Sequence, residues 1–276
     1  MSGRRQRPWR MSADLLSWLP LVVKLTLTAG IVVTASVIAE RVGALAGALV
    51  ATLPVTIWPA YVFISLDHDA AYIAEAALSG LVINAATGLF LLVYATLAQK
   101  RGLFVSLTLS VGCWISLAVL ARSIGWTLAS AGLLNLIVYP ACLRLSSAMR
   151  TVDMPRLRHA WYDLPMRTFL VCALMAAILE ASNWAGSVLT GVLAVYPISS
   201  TSLILILQPR IGGRAAGAVI ANSLWSLFGI SFSLAALYIS VVPFGTALSL
   251  AAALAIPVVW NLTVWVVHRR ATFAVN

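Results

Sequence analysis

Two short stretches of this chain carry residue types that can hold a polar solute in an apolar setting. Thr190 to Leu205 reads TGVLAVYPISSTSLIL, where Pro197 and the hydroxyls of Ser199, Ser200, Thr201 and Ser202 interrupt an aliphatic run. Gly47 to Phe63 reads GALVATLPVTIWPAYVF and echoes it, with Thr52 and Thr56 flanking Pro54. A proline inside a helix removes one backbone donor and pushes aside the carbonyl four residues back, releasing polar groups that lipid cannot satisfy. Those groups must face protein or a water-filled cavity. The breaks therefore read either as kinks back-bonded by their own hydroxyls or as the wall of a solute site. Because the pattern occurs twice and discontinuous helices line transporter sites, the expected substrate-binding residues are Pro54, Thr56, Pro197, Ser199, Ser200 and Thr201.

Asn84, in GLVINAATGLF, and Asn222, in GAVIANSLWSLF, sit within matching apolar stretches downstream of the two prolines. An amide there either ties helices together, with bonds of about 1 kcal/mol, or orients a solute, and both residues join the expected site. Carboxylates close to hydrocarbon are costly and tend to be paired, protonated or functional. Glu40 and Glu180 occupy matching helix ends and Glu75 begins another helix; Glu180 is the proton-coupling candidate. Lys24 is expected to snorkel or to meet a carboxylate, Trp58 and Tyr61 to anchor at an interface, and Tyr196 to stack on a ligand or close a gate.

The elements that must position these residues are membrane spans. With 62% hydrophobic and 9% charged residues, and a mean hydropathy of +0.99, the chain lies far from the soluble norm of about 25% charged. Apolar runs near the length of about 20 residues needed to cross a bilayer recur at 17-39, 42-66, 71-98, 102-121, 125-147, 164-183, 184-208, 212-240 and 243-267. The expected fold is all-α: a polytopic membrane protein of about nine transmembrane helices.

Internal similarity organises those helices. Val37-Ile38-Ala39-Glu40 before Pro54 is echoed by Ile178-Leu179-Glu180 before Pro197, and Glu-to-Pro spacings of 14 and 17 residues precede Pro-to-Asn spacings of 30 and 25. Equivalent helices are offset by five crossings, and an odd offset inverts the second copy. The expected plan is a polar leader at 1-16, repeat 1 at 17-121, a linking helix and basic loop at 122-163, repeat 2 at 164-267 and a tail at 268-276. Inverted four-helix halves with a midplane site are a transporter plan.

The net charge of +10 falls as single and paired cations at helix ends, without a groove-like cluster, so anionic lipid explains it and nucleic acid does not. Twelve Lys and Arg lie on one set of ends and five on the other, which puts the N terminus outside, whereas the basic leader points the other way. A start at Met11 would remove that conflict. No cleavable signal peptide is expected, because the first apolar run is a full span containing Lys24.

Cys113, Cys142 and Cys172 lack metal or disulfide spacing, and no H-E-x-x-H, Walker or G-x-S-x-G motif occurs. Neither a catalytic residue, a metal nor a cofactor is expected. Gly43-x-x-x-Gly47 and Gly213-x-x-x-Gly217 indicate close helix contact.

The stretch AGSVLTGVLAVYPISSTSLILI resembles the small four-span GlpM-like membrane proteins. The resemblance implies two such units fused in opposite orientations, similar in plan to the drug/metabolite transporter superfamily with its central solute cavity. The expected function is a secondary transporter or exporter of a small polar or amphipathic metabolite in the inner membrane, with the lipid bilayer as its surroundings. A homo-oligomer or a membrane-complex partner is left open. Two alternatives stand beside it, a non-transporting subunit of an envelope polysaccharide or lipid pathway and an enzyme acting on a lipid-linked substrate.

Overall fold

The computed structural model describes residues 10–41, 57–150 and 162–275, with side chains from 19–34, 57–150 and 162–267. Pro54 and Thr56, together with Thr52, Gly43 and Gly47, lie outside the described residues, as does the side chain of Glu40.

The described chain is entirely helical, as expected for a polytopic membrane protein. Its helices are α1 (Arg10–Arg41), α2 (Ile57–Ile64), α3 (Ala70–Leu97), α4 (Leu103–Ala121), α5 (Leu128–Leu145), α6 (Asp163–Trp184), α7 (Gly186–Ala194), α8 (Ile198–Phe244) and α9 (Thr246–Val275). Six stretches among the described residues are long and apolar enough to cross a membrane, counting Gly186–Phe244 as one.

Local chemistry sets the boundaries. The Asp69 carboxylate accepts the backbone N–H of Tyr72 (2.9 Å) and starts α3. Thr127 and Ser130 form a reciprocal capping box at the start of α5. As one straight helix, the 59 residues of Gly186–Phe244 would run about 88 Å, far beyond the about 30 Å hydrocarbon core. The chain instead breaks at 195–197 and again at Gly212, whose φ of 79° and ψ of 164° suit only glycine.

Side-chain contacts show the reversal. Before Gly212 the chain runs parallel to α3, with Thr190 against Tyr72, Val195 against Thr87 and Gln208 against Tyr94. After it the chain returns antiparallel, with Gly213 at Ala98, Gly217 at Ala95, and Leu227 and Ser231 at Asn84. Thus α3 is the axis of the bundle. In its most apolar window 72% of residues are buried, against 22% for α4 and α9, whose outer faces remain for lipid.

Small residues permit this packing. A Cβ on Gly191 would lie 2.1 Å from the Ala76 carbonyl oxygen, and one on Gly213 would lie 2.1 Å from that of Ala98. The Gly213-x-x-x-Gly217 pair therefore faces α3 directly, as its spacing predicts.

The bundle has an acidic end and a basic end. Asp67, Asp69 and Glu75 lie at or near the start of α3, and Glu180 near the end of α6, which the Tyr72 hydroxyl joins to α3 through the Ser182 carbonyl. Lys100, Arg101, Arg210 and Arg214 gather at the other end. Two expectations are decided here. Of the two outcomes open to Lys24 the structure has the second, its ammonium pairing with the Asp67 carboxylate. Trp58 and Tyr61 are not interface anchors but core residues, the Tyr61 hydroxyl donating to the Ala76 carbonyl (2.9 Å). Aromatic position along the chain suggested an interface, but the docking of α2 against its neighbours buries both rings.

Candidate functional site

The site begins with the break at Val195-Tyr196-Pro197. Helix α7 enters from the acidic end and advances about 13 Å over its nine residues, which brings the break alongside Thr87, in the middle part of α3. Pro197 is buried and caps α8 with φ −76° and ψ 53°. Four of the carbonyls around the break can be followed. Leu193 accepts from the Tyr196 N–H (3.1 Å), Tyr196 from the Ile198 N–H (2.7 Å), and Pro197 from both the N–H (2.8 Å) and the hydroxyl (2.9 Å) of Thr201. Val195 reaches outside its own segment, accepting from the Thr87 hydroxyl of α3 at 3.2 Å, a proton that the Ile83 carbonyl one turn back shares at 3.3 Å.

Thr87 in turn accepts the indole N–H of Trp114 on α4 at 3.0 Å. The Trp114 ring stands edge-on to Tyr196, with centroids 5.0 Å apart and planes at 87°. Two helices, α3 and α4, thus close over the break through one hydroxyl and one indole, which meets the break's own Tyr196 ring.

A groove of about 240 Å³ descends toward this closure from the acidic end. Its mouth carries Glu75 and Arg122, and its wall includes Leu78, Val82, Val188 and Trp126. Its deepest lining residues are Ile83, Ala118 and Val192. One helical turn further along their helices come Thr87, Trp114 and Val195. The groove therefore ends about one helical turn short of the residues that close the break.

The segment forming one wall, α7, is set off from α6 by a glycine and tied to α3 by two side-chain bonds. Gly186 at its start has φ +78° with open space where a Cβ would be, so conformation and not crowding requires glycine there. Its Ser187 hydroxyl donates to the Glu75 carboxylate, and Thr190 shares a hydrogen bond with the Tyr72 hydroxyl (2.8 Å).

The remaining expected site residues separate. Thr201 is buried as the cap of the break, while Ser199 and Ser200 are half-buried; the Ser199 hydroxyl has no partner among the described residues. Asn84 is fully buried, and its amide nitrogen donates toward Ser231 Oγ (2.9 Å), the Leu227 carbonyl (3.1 Å) and Asn135 Oδ1 (3.3 Å). Asn222 is exposed, donating to the Ala218 carbonyl (3.0 Å) and toward that of Arg150 (3.5 Å) near the basic end. The two asparagines therefore do not meet. Glu180 is exposed on α6 and does not line the groove.

Sequence reasoning passed over Thr87, Trp114, Asn135 and Ser231. The available signal was a polar or aromatic side chain well inside an apolar run, away from the belts where aromatics gather. Asn135 donates to the carbonyls of Leu81 (2.8 Å) and Ala131 (2.9 Å) and accepts from Ser231 (3.0 Å), closing a polar triangle between α3, α5 and α8.

Among the described residues no group of three His, Cys, Asp or Glu side chains is placed to hold a metal ion. No protein-family model, curated protein or solved structure matches the chain.

Proposed function

We propose that this protein is a secondary transporter or exporter that moves a small polar or amphipathic metabolite by alternating access around its broken helices. One observation carries the reading: a groove open at the acidic end stops one turn above a break in the helical chain beside the middle part of α3. Such a break presents unwound backbone to a solute at the depth where carriers bind their cargo. Helix α7 forms both the groove wall and the near side of the break, so its movement couples access to the site. In this proposal nine spans form two inverted four-helix repeats plus a linking helix. The repeat around Pro54 supplies the second break, and the basic end faces the cytoplasm across the inner membrane. The likeness to GlpM-like proteins and to the drug/metabolite transporter plan belongs to the same reading.

The test needs no knowledge of the solute. In a background lacking Cys113, Cys142 and Cys172, Val192→Cys and Ser200→Cys are probed with a membrane-impermeant maleimide in cells and in inverted vesicles. Transport predicts that Val192→Cys reacts from the acidic side and Ser200→Cys from the opposite side. A Ser200→Cys that reacts from neither side rejects alternating access.

The Asn84–Asn135–Ser231 triangle favours a second reading, a rigid membrane subunit of an envelope pathway. Its members are buried and mutually bonded, as helix-fixing polar groups are. That reading predicts silence at Ser200→Cys and stable co-purification with a partner.

A further inference from the structure

The mouth of the groove holds one carboxylate and one guanidinium, Glu75 on α3 and Arg122 at the C-terminal cap of α4. They share a cavity without forming an ion pair with each other; the ion pairs among the described residues are Lys24–Asp67 and Arg210–Asp163. Glu75 Oε2 takes the Ser187 hydroxyl, which leaves its second oxygen with an open acceptor site. Besides the two charges the lining is mainly aliphatic, from Leu78, Val82, Val188 and Val192, with Ser79 as a further polar side chain. The Trp126 indole N–H is held by the Ala121 carbonyl (2.8 Å), which fixes the ring that forms one side of the mouth.

A ligand with a single charge would satisfy one of these groups and set its own charge near the other with the same sign. A ligand with both charges meets both. The volume of about 240 Å³ lies below the about 300–1,000 Å³ of drug-sized pockets, so a small body fits. We propose that this groove binds a small zwitterion with a short branched apolar body, its ammonium at Glu75 and its anionic group at Arg122. The inference rests on the transport reading, for which it names the substrate class. The same charge pair occurs on a free amino acid and on a phosphatidylethanolamine headgroup, and the two sources are separable.

The experiment measures equilibrium binding of radiolabelled L-leucine to the purified full chain in nanodiscs of phosphatidylglycerol. 3-Methylbutylamine and 4-methylpentanoate, which keep the branched body and one charge each, serve as competitors. The expected result is saturable leucine binding, with each singly charged analogue weaker by about ten-fold or more, since discrimination comes from the charge left unpaired. Arg122→Gln should weaken leucine and narrow its advantage over the amine; Glu75→Gln should do the same for the carboxylate analogue. Nanodiscs containing phosphatidylethanolamine form the second arm. Leucine affinity that is unchanged there identifies a free solute, whereas leucine displaced by that lipid and not by phosphatidylglycerol identifies the headgroup. Binding that is equal for leucine and its singly charged analogues overturns the proposal. So does the absence of both leucine binding and an ethanolamine-lipid interaction sensitive to Glu75→Gln. The analogue series uses the unaltered protein, so misfolding of a variant cannot decide it. Leucine binding with Ser200→Cys silent on both sides would leave the site and remove transport; two-sided labelling without zwitterion binding would do the reverse.

Discussion

The hydroxyl of Thr87 lies 3.2 Å from the carbonyl oxygen of Val195, 108 residues away in the chain, and serves the backbone group that the helix break leaves exposed. It also holds the indole of Trp114 at 3.0 Å. One side chain thus stabilises the break and positions the ring that closes it.

Thr87→Val keeps the shape and removes both bonds, together with the back-bond to the Ile83 carbonyl (3.3 Å). The expected cost is about 1–2 kcal/mol, the range for a hydrogen bond between transmembrane helices plus a donor left without a partner. The apparent melting temperature of the detergent-solubilised protein should fall, and Thr87→Ser should recover most of the loss. Equal melting for Thr87→Val and the parent would show that the Val195 carbonyl does not depend on this hydroxyl.

Trp114→Ala should open the closure between the groove and the break. Because the indole meets Tyr196 edge-on above the break, its removal should raise labelling of Ser200→Cys from the acidic side by about ten-fold, the equivalent of about 1.4 kcal/mol of closure. Labelling from the basic side serves as the internal control. An unaltered rate from the acidic side would place the barrier elsewhere.

The two glycines of α7 should fail for different reasons. A Cβ at Gly191 would lie 2.1 Å from the Ala76 backbone oxygen, so Gly191→Ala must displace α7 from α3 and cost about 1–3 kcal/mol or more, as overpacking does. Gly186→Ala meets no neighbour, but its φ of +78° makes the cost conformational, about 1–3 kcal/mol. Labelling of Val192→Cys discriminates them: faster in Gly191→Ala, where the wall has moved, and near the parent rate in Gly186→Ala if the backbone angle is retained.

Asn84 and Asn222 should differ in stability. Asn84→Ala and Ser231→Ala in a double-mutant cycle should show coupling of about 0.5–1.7 kcal/mol, the span for polar contacts between membrane helices. Asn222→Ala, on an exposed face, should change melting by no more than about 0.5 kcal/mol. A larger loss at Asn222 than at Asn84 would contradict this assignment.

The span pattern was legible because it is a local property. A run of apolar residues of sufficient length must enter lipid whatever surrounds it, and the expected runs at 71-98, 102-121 and 125-147 coincide closely with α3, α4 and α5. The break at Pro197 was legible for the same reason, since a missing backbone donor is written into the residue itself. The glycine pair at Gly213 and Gly217 likewise announced a close approach, though not which helix would supply it.

Partner choice was not legible. Asn84 and Asn222 have similar apolar settings along the chain, yet one is enclosed by Asn135 and Ser231 while the other faces outward. That outcome depends on the rotation of each helix about its axis, which in a uniformly apolar span no amphipathic stripe declares. Trp58 and Tyr61 show the same limit: their nearness to a helix end is local, and their burial comes from the helices that α2 meets. By itself the sequence determined that the chain is a polytopic bundle of helices with a proline break deep in its second half. Only the tertiary structure decided that α3 is the axis, that Thr87 and Trp114 close the break, and that Glu75 and Arg122 share one groove, because each depends on contacts between residues far apart in the chain.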